Sequence, residues 1–362
     1  MTNKNVFGGL KFINATQKES NETIPCMRTM TFVMENKRAG FGSELNNALF
    51  VVIYAEITNR TFRFDSRPWI NGNWDDFFYF PYWNCDLPAN ETLVAMKGVR
   101  IEDDRHPHLF TGRHIGWSGL RTQNEPFGNF CVKAMALRKI WKLKQVIQEQ
   151  ILQHMRNLSL LASESESCTH LQQDGTLCNL ENVKTVPFIG ALVRRGDKHI
   201  EAKEQPIEKY IDLLDRVGCR LLLVTAGISS ALAKECLSNL SHAANYSYRY
   251  SLSFPFPVFI MRDDMPQVIP QIRQLRPRWN LLSHTPRVLL KGFVYGDFES
   301  RPLEERRLHT IDLIINLELL RRANFVICTH STNICRFLAL LRDPRWPLSS
   351  MLSLDGEWSP MK

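Results

Sequence analysis

Four charged residues, Arg194, Arg195, Asp197 and Lys198, stand directly behind the apolar stretch of residues 187–193. A short apolar run closed by charges and Gly196 reads as a buried strand. In open α/β sheets the ligand crevice lies at the carboxyl ends of the strands. Two planar guanidiniums emerging there suit an anionic group such as a diphosphate, because each fork presents paired N–H donors. A solvated turn with surface ion pairs accounts for the same charges. Glu201, close behind, adds a carboxylate able to take a proton from a hydroxyl. A second place for an anion is His330-Ser331-Thr332, between an apolar strand over 324–329 and a helix over 332–342. Free N–H groups at a helix start, with two hydroxyls, would face a phosphate there. Plain N-capping by Ser331 is the structural alternative. Gly40 and Gly42 make a similar junction, where small residues permit close backbone approach.

The elements that position these residues follow from periodicity. Residues 30–34 alternate like a strand, a helix opens at Ser43-Glu44 with apolar Leu45, Leu49, Val52 and Ile53, and a strand follows over 61–64. The aromatic stretch of residues 69–83 reads as core and loop packing rather than a sugar platform. Residues 135–152 read as one basic amphipathic helix, and residues 163–182, with Ser-Glu-Ser-Glu-Ser and Asp174-Gly175, as a linker loop. Beyond it strands over 187–193, 220–225, 257–261 and 324–329 alternate with helices over 206–217, 230–239, 304–321 and 332–342. That alternation predicts a parallel sheet with helices on both faces. The expected organisation is an extended lead-in over 1–28, an open α/β lobe over 29–182 and a Rossmann-like lobe over 183–362.

Composition narrows the function. At 362 residues the chain suits two lobes better than one. The excess of 45 Lys+Arg over 37 Asp+Glu gives +8, but the basic residues are scattered without a stripe or aromatic interleaving, which argues against nucleic acid. No run approaches the ~18 apolar residues of a membrane span. No G-x-G-x-x-G follows a strand, which disfavours NAD. No Asp-x-Asp occurs; Asp103-Asp104 and Asp263-Asp264 are adjacent pairs that read as loop charges, so no metal is expected. Cys168, His170 and Cys178 lack a fourth zinc ligand at a regular spacing. Seven N-x-Ser/Thr sequons and nine cysteines lean toward the secretory pathway, with at least one cysteine left over from intrachain pairing.

Three further segments resemble the α1,6-fucosyltransferase family, which places fucose on the innermost GlcNAc of N-glycans. NKRAGFGSELNN over 36–47, leading to Arg60-Thr61-Phe62, resembles that family's glycine turn, long helix and "QRT" strand start. ANFVICTHSTNICR over 323–336 is similar to "ADFLVCTFSSQVCR", and QPIEKY over 205–210 to "HPIEEY". With the arginine pair these make four motifs in family order, over roughly residues 30 to 75 and 187 to 356.

The resemblance implies a two-lobe, GT-B-like α/β glycosyltransferase whose Rossmann-like lobe holds the nucleotide sugar. It implies inverting transfer of fucose from GDP-fucose to a GlcNAc-containing glycan, without metal or other cofactor. Arg194 and Arg195 would grip the diphosphate, Glu201 would be the base, Lys198 its helper, and Asp197 would orient the arginines. Tyr210, Asn316, Ser331, Thr332, Gly40 and Gly42 fall at donor-side positions, and Cys328 and Cys335 at a short disulfide. The implied location is the Golgi lumen, with any anchor outside this sequence. Departures touch the donor pocket: Ala226-Gly227 stand where the family has paired aspartates, Asn316 where it has an aspartate, and Leu192 where it has a histidine. Asp312, one helical turn before Asn316, is placed to substitute. Neither the family's coiled coil nor its SH3-like domain has a counterpart, which leaves the acceptor open. The alternatives are a different acceptor, such as a protein hydroxyl or a chitin-like oligosaccharide, and a degenerate fold that binds GDP-sugars or glycans without turnover.

Overall fold

The computed structural model describes residues 28–34, 40–79, 92–95, 126–163, 180–195, 204–226, 255–263, 265–287, 293–342 and 350–356. Asp197, Lys198, Glu201, Gly227, Cys168, His170, Cys178 and the helix expected over 230–239 lie outside these residues. The described residues form a two-sheet α/β fold in which all strand pairs are parallel.

The first sheet has the order β2-β1-β3, from β1 (Thr29–Val33), β2 (Thr61–Asp65) and β3 (Thr92–Ala95). Between β1 and β2 runs α1 (Phe41–Ile57), apolar almost all round and accordingly buried from Ala48 to Ala55. It starts two residues before the expected Ser43, because the Gly40 carbonyl already accepts from the N–H groups of Ser43 and Glu44. The aromatic stretch behaves as core packing. Trp74 lies between Phe64 and Phe78 at centroid distances of 4.1 and 4.2 Å, so both its faces are covered by rings.

The single helix expected over 135–152 is two helices, α2 (Pro126–Ile140) and α3 (Gln145–Asn157). The break has a local cause. Residues 142–144 exchange helical bonds for pairing with residues 77–79: Tyr79 N–H donates to Lys142 O at 2.6 Å and Lys144 N–H to Phe77 O at 2.9 Å. Trp141 turns its indole N–H to the buried Glu318 carboxylate at 2.7 Å.

The second sheet comprises β4 (Ile189–Val193), β5 (Val258–Arg262), β6 (Leu281–Leu282), β7 (Phe325–Cys328) and β8 (Met351–Ser353), in the order β6-β5-β4-β7-β8. The earliest strand is central. The next two are added on one side and the last two on the other, so the order reverses between β4 and β7. β4 is buried on both faces, and its alternate residues feed two separate cores: Phe188 and Leu192 one, Ile189, Ala191 and Val193 the other. Gly190 faces α7 (Leu303–Arg322) so closely that a Cβ there would stand 2.6 Å from a Leu320 methyl.

One expected strand is absent. Residues 220–225 continue α4 (Ile207–Ala226). Neighbouring Leu221 and Leu222 are both buried while Val224 is 77% exposed, a pattern no alternating strand produces. The remaining α-helices among the described residues are α5 (Met265–Leu275), α6 (Tyr295–Glu299) and α8 (Asn333–Leu341). The larger core runs unbroken from Met30 and α1 through α2, α3, α7 and α8. Gly42 marks the contact of α1 with α8: a Cβ there would lie 3.0 Å from the Ile334 backbone.

Candidate functional site

The reversal point between β4 and β7 is where an open α/β sheet offers a crevice at its strand ends. Because all strands point the same way, the residues just past each end converge: Arg194 and Arg195 after β4, Asp263 after β5, Thr329 to Thr332 after β7 and Asp355 after β8.

Both guanidiniums are held by carboxylates. Arg194 Nη1 lies 3.5 Å from Asp263 Oδ2, and the backbone N–H of Arg195 donates to Asp263 Oδ1 at 2.7 Å. The Arg195 side chain pairs with Glu204. Asp263, expected to be a loop charge, is thus a member of the arginine cluster. Arg194 also lies over the Phe293 ring, 5.6 Å from its centroid, and that ring packs in turn against Phe298 at 5.3 Å and His309 at 5.8 Å. His309 is hemmed in by Phe298 as well, at 5.0 Å. Burial, with smaller contributions from Arg301 and Arg194 against Asp312, lowers its pKa to about 4, so the ring is neutral at physiological pH.

Tyr210 on α4 is buried, hydrogen-bonded with Thr329 and within electrostatic range of Arg195, Asp355 and Asp263. Burial drives its phenol well above the ordinary range, which leaves it a neutral prop between the ends of β4 and β7.

The turn after β7 is built tightly. Cys328 and Cys335 are disulfide-bonded, with Cα atoms 6.0 Å apart, across the turn from strand to helix. Thr332, not Ser331, is the N-cap of α8: its hydroxyl accepts from the Cys335 N–H at 3.3 Å. The N–H groups expected to be free for a phosphate are engaged. His330 and Ser331 donate to the two oxygens of Asp355 at 2.6 and 3.2 Å, and Thr332 N–H donates to Thr329 O at 3.0 Å. Burial would raise the Asp355 pKa, but bonds from Ser331, Ser353 and His330 hold it below the usual carboxylate value. A carboxylate therefore sits where an oxyanion was expected, as an N–H pair at such a turn favours. Cys219 is also disulfide-bonded, and Cys131 is free and exposed.

Other expected site residues sit further from this centre. Asn316 donates from Nδ2 to the Asp312 carbonyl at 2.8 Å. Asp312, the expected substitute for the missing aspartate, is paired. Its carboxylate accepts from Arg287 N–H and Nε–H at 2.6 and 2.8 Å, and His284 Nε2 stands 3.1 Å away. Gly42 serves the helix contact described above, while Gly40 has open space around its α-carbon. Among the described residues no three His, Cys, Asp or Glu side chains gather as a metal site, and no helix is long and apolar enough to cross a membrane.

Sequence reasoning missed Asp263, Asp355, Phe293 and His309. The first two had a usable signal, since each stands just past an apolar strand as Arg194 does. Phe293 and His309 had none.

No family model matches the chain, and no curated protein matches it in sequence. Solved structures do. NodZ α1,6-fucosyltransferase soaked with GDP-fucose is 17% identical over 87% of this chain and 93% of its own, at a TM-score of 0.42. Selenomethionine NodZ from Bradyrhizobium is 17% identical over 89% and 97%, at 0.40. A mutant of Arabidopsis thaliana FUT1 in complex with GDP is 9% identical over 90% and 70%, at 0.44. At these scores the likeness is one of broad chain course, and side-chain roles do not carry across it.

Proposed function

We propose that this chain is a GT-B-type, fucosyltransferase-like enzyme that binds GDP-fucose at the β4–β7 reversal point. The observation that carries the reading is the arginine pair at the carboxyl end of the central strand, ion-paired in advance and beside a disulfide-braced turn. The motif order supports fucose as the sugar. In the proposed step the acceptor hydroxyl oxygen attacks the fucose anomeric carbon from the face opposite GDP. The bond to the β-phosphate oxygen breaks and its electron pair leaves with GDP. The hydroxyl proton passes to Glu201, assisted by Lys198, and Asp197 helps to orient the arginines. Inversion follows from the single displacement. The guanidiniums take up the charge that builds on the leaving phosphate, the role a divalent ion plays elsewhere, which is the ground for proposing metal independence. Tyr210, Ser331 and Thr332 belong to the strand-end cluster proposed to meet the donor, and Gly40, Gly42 and Asn316 are proposed as donor-side positions on the motif order alone.

The α1,6 linkage to an N-glycan GlcNAc is one acceptor reading. A protein hydroxyl or another oligosaccharide is the other. The organisation proposed is a first lobe over 29–182 and a donor lobe over 183–362, with passage through the secretory pathway. Exposure of the sequon residues Asn59 and Asn157 supports that route. Binding without turnover is favoured by one group of observations: Asn316 and Ala226 in place of aspartates, with Asp312 committed to Arg287.

Calorimetry with GDP and with GDP-fucose, followed by GDP release in the presence of GlcNAc-terminated N-glycans and of peptides, tests the reading. GDP binding with acceptor-dependent release is expected. Binding without release assigns the degenerate alternative, and no binding of either nucleotide overturns the proposal.

A further inference from the structure

We propose that Asp263 is the positioning residue of the arginine pair, fixing with one carboxylate both the main chain of Arg195 and the guanidinium of Arg194; the inference rests on the donor-binding reading above. β4 and β5 run parallel with Val193 opposite Arg262, so Arg194 and Asp263 are the first residues beyond the last rung of the ladder. With a single methylene in its side chain, Asp263 reaches the Arg195 N–H at 2.7 Å and leaves its second oxygen toward Arg194. Its side chain is 12% exposed, so water screens the pair little. The Phe293 ring limits Arg194 from another side. A guanidinium confined between a ring and a carboxylate has already given up much of its rotamer freedom, which lowers the ordering cost when an anion arrives. Positioning also explains why the sheet places an acid next to cations meant for an anionic ligand.

Positioning and simple charge balance differ in which substitution preserves the site. Asn keeps the oxygen that accepts from the Arg195 N–H but turns an NH2 group toward the Arg194 guanidinium, so it spares the main-chain bond and loses the contact that aims Arg194. Glu keeps the charge and displaces it by one methylene. If Asp263 acts through geometry, Asp263→Asn should outperform Asp263→Glu.

The test uses the full chain as wild type and as Asp263→Asn, Asp263→Glu, Asp263→Ala, Arg194→Ala and the Asp263→Ala/Arg194→Ala double variant. GDP affinity, transfer kcat and KM, and thermal midpoint are measured for each. Asp263→Ala should lower kcat about tenfold or more, with a smaller loss of GDP affinity, because a misaimed arginine matters most where charge builds. Asp263→Asn should fall between wild type and Asp263→Ala, since it keeps the bond to the Arg195 N–H alone, while Asp263→Glu falls as far as Asp263→Ala. The double variant should lose less than the product of the single losses, since the two residues act as one unit. Losses that multiply fully, or a Glu variant as active as wild type, overturn the role of Asp263 while leaving GDP binding intact. Failure of the wild type to bind GDP overturns the donor reading and this role with it. Should Asp263→Ala not fold, the Asn and Glu variants decide the matter by themselves.

Discussion

Replacing Asp355 by Asn probes the turn on which the donor site depends. In the native chain Asp355 Oδ1 accepts from the His330 N–H at 2.6 Å and from the Ser353 hydroxyl at 2.8 Å, and Oδ2 accepts from the Ser331 N–H at 3.2 Å. Asn keeps one acceptor and turns an NH2 group toward one of the donors, so one charge-assisted bond is lost and one donor faces another. A hydrogen bond to a charged group is worth about 1.5–3 kcal/mol when buried. Asp355 is exposed, so water replaces part of this, and about 1 kcal/mol is the expected loss of global stability. For a chain of this size that amounts to roughly 2 °C in midpoint or less. The local effect is larger, because Asp355 holds two successive N–H groups of the turn, of which only that of His330 has a second acceptor, the Ser353 hydroxyl at 3.0 Å. Amide exchange at His330 and Ser331 should accelerate about tenfold or more, which is one hydrogen bond's worth of local opening. The pH dependence has a definite sign. The folded pKa of Asp355 is depressed, so its contribution is present above the unfolded value and is lost as pH falls through the folded one. The gap between wild type and Asp355→Asn should therefore be full at neutral pH and close below about pH 4. Exchange by mass spectrometry and thermal scans across pH measure both. Unchanged protection of residues 330–331 at pH 7, or a gap that widens in acid, would refute the assignment of the carboxylate as the clamp of this turn.

Arg194→Ala should weaken GDP binding and also slow transfer by about 100-fold or more, whereas Glu201→Gln should leave GDP affinity nearly unchanged while lowering kcat by ~100-fold; equal small effects from both would reduce the segment to a solvated strand end. Transfer should persist in EDTA, and loss restored by manganese would sink the metal-free mechanism. Gly42→Val places new atoms against the Ile334 backbone, where even a Cβ stands at 3.0 Å, and should destabilise by about 1–3 kcal/mol in chemical denaturation, with Gly40→Ala close to neutral. His309 is neutral in the fold with a pKa of about 4, below its unfolded value, so stability should decline as pH falls below about 6.5. His309→Gln should flatten that decline, and an unchanged slope in denaturation curves would assign it to other groups.

Much of the architecture was legible because it is written locally. A strand buried on both faces must be apolar at successive positions, and residues 187–193 are; the sheet, its parallel sense and the charged segment at its end follow from that run and its neighbours. The helices over 304–321 and 332–342 were legible within two residues at each end for the same reason. The family resemblance supplied the Cys328–Cys335 pairing, which spans only one turn. Other features were decided elsewhere in the chain. Residues 220–225 carry enough apolar side chains for a strand or a helix, and the choice fell to the helix through packing of Leu221 and Leu222 against one core. The stretch 142–144 was lost to α2 because a partner at 77–79 took its backbone bonds. The carboxylates of the site show the limit most clearly. Asp263 is 68 residues from the backbone it fixes, and Asp355 is 25 and 24 from the two N–H groups it clamps. Which acid meets which arginine depends on the order of strands in the sheet. Local sequence determines that strands form and where they end; the burial of helices against both faces determines which ends become neighbours.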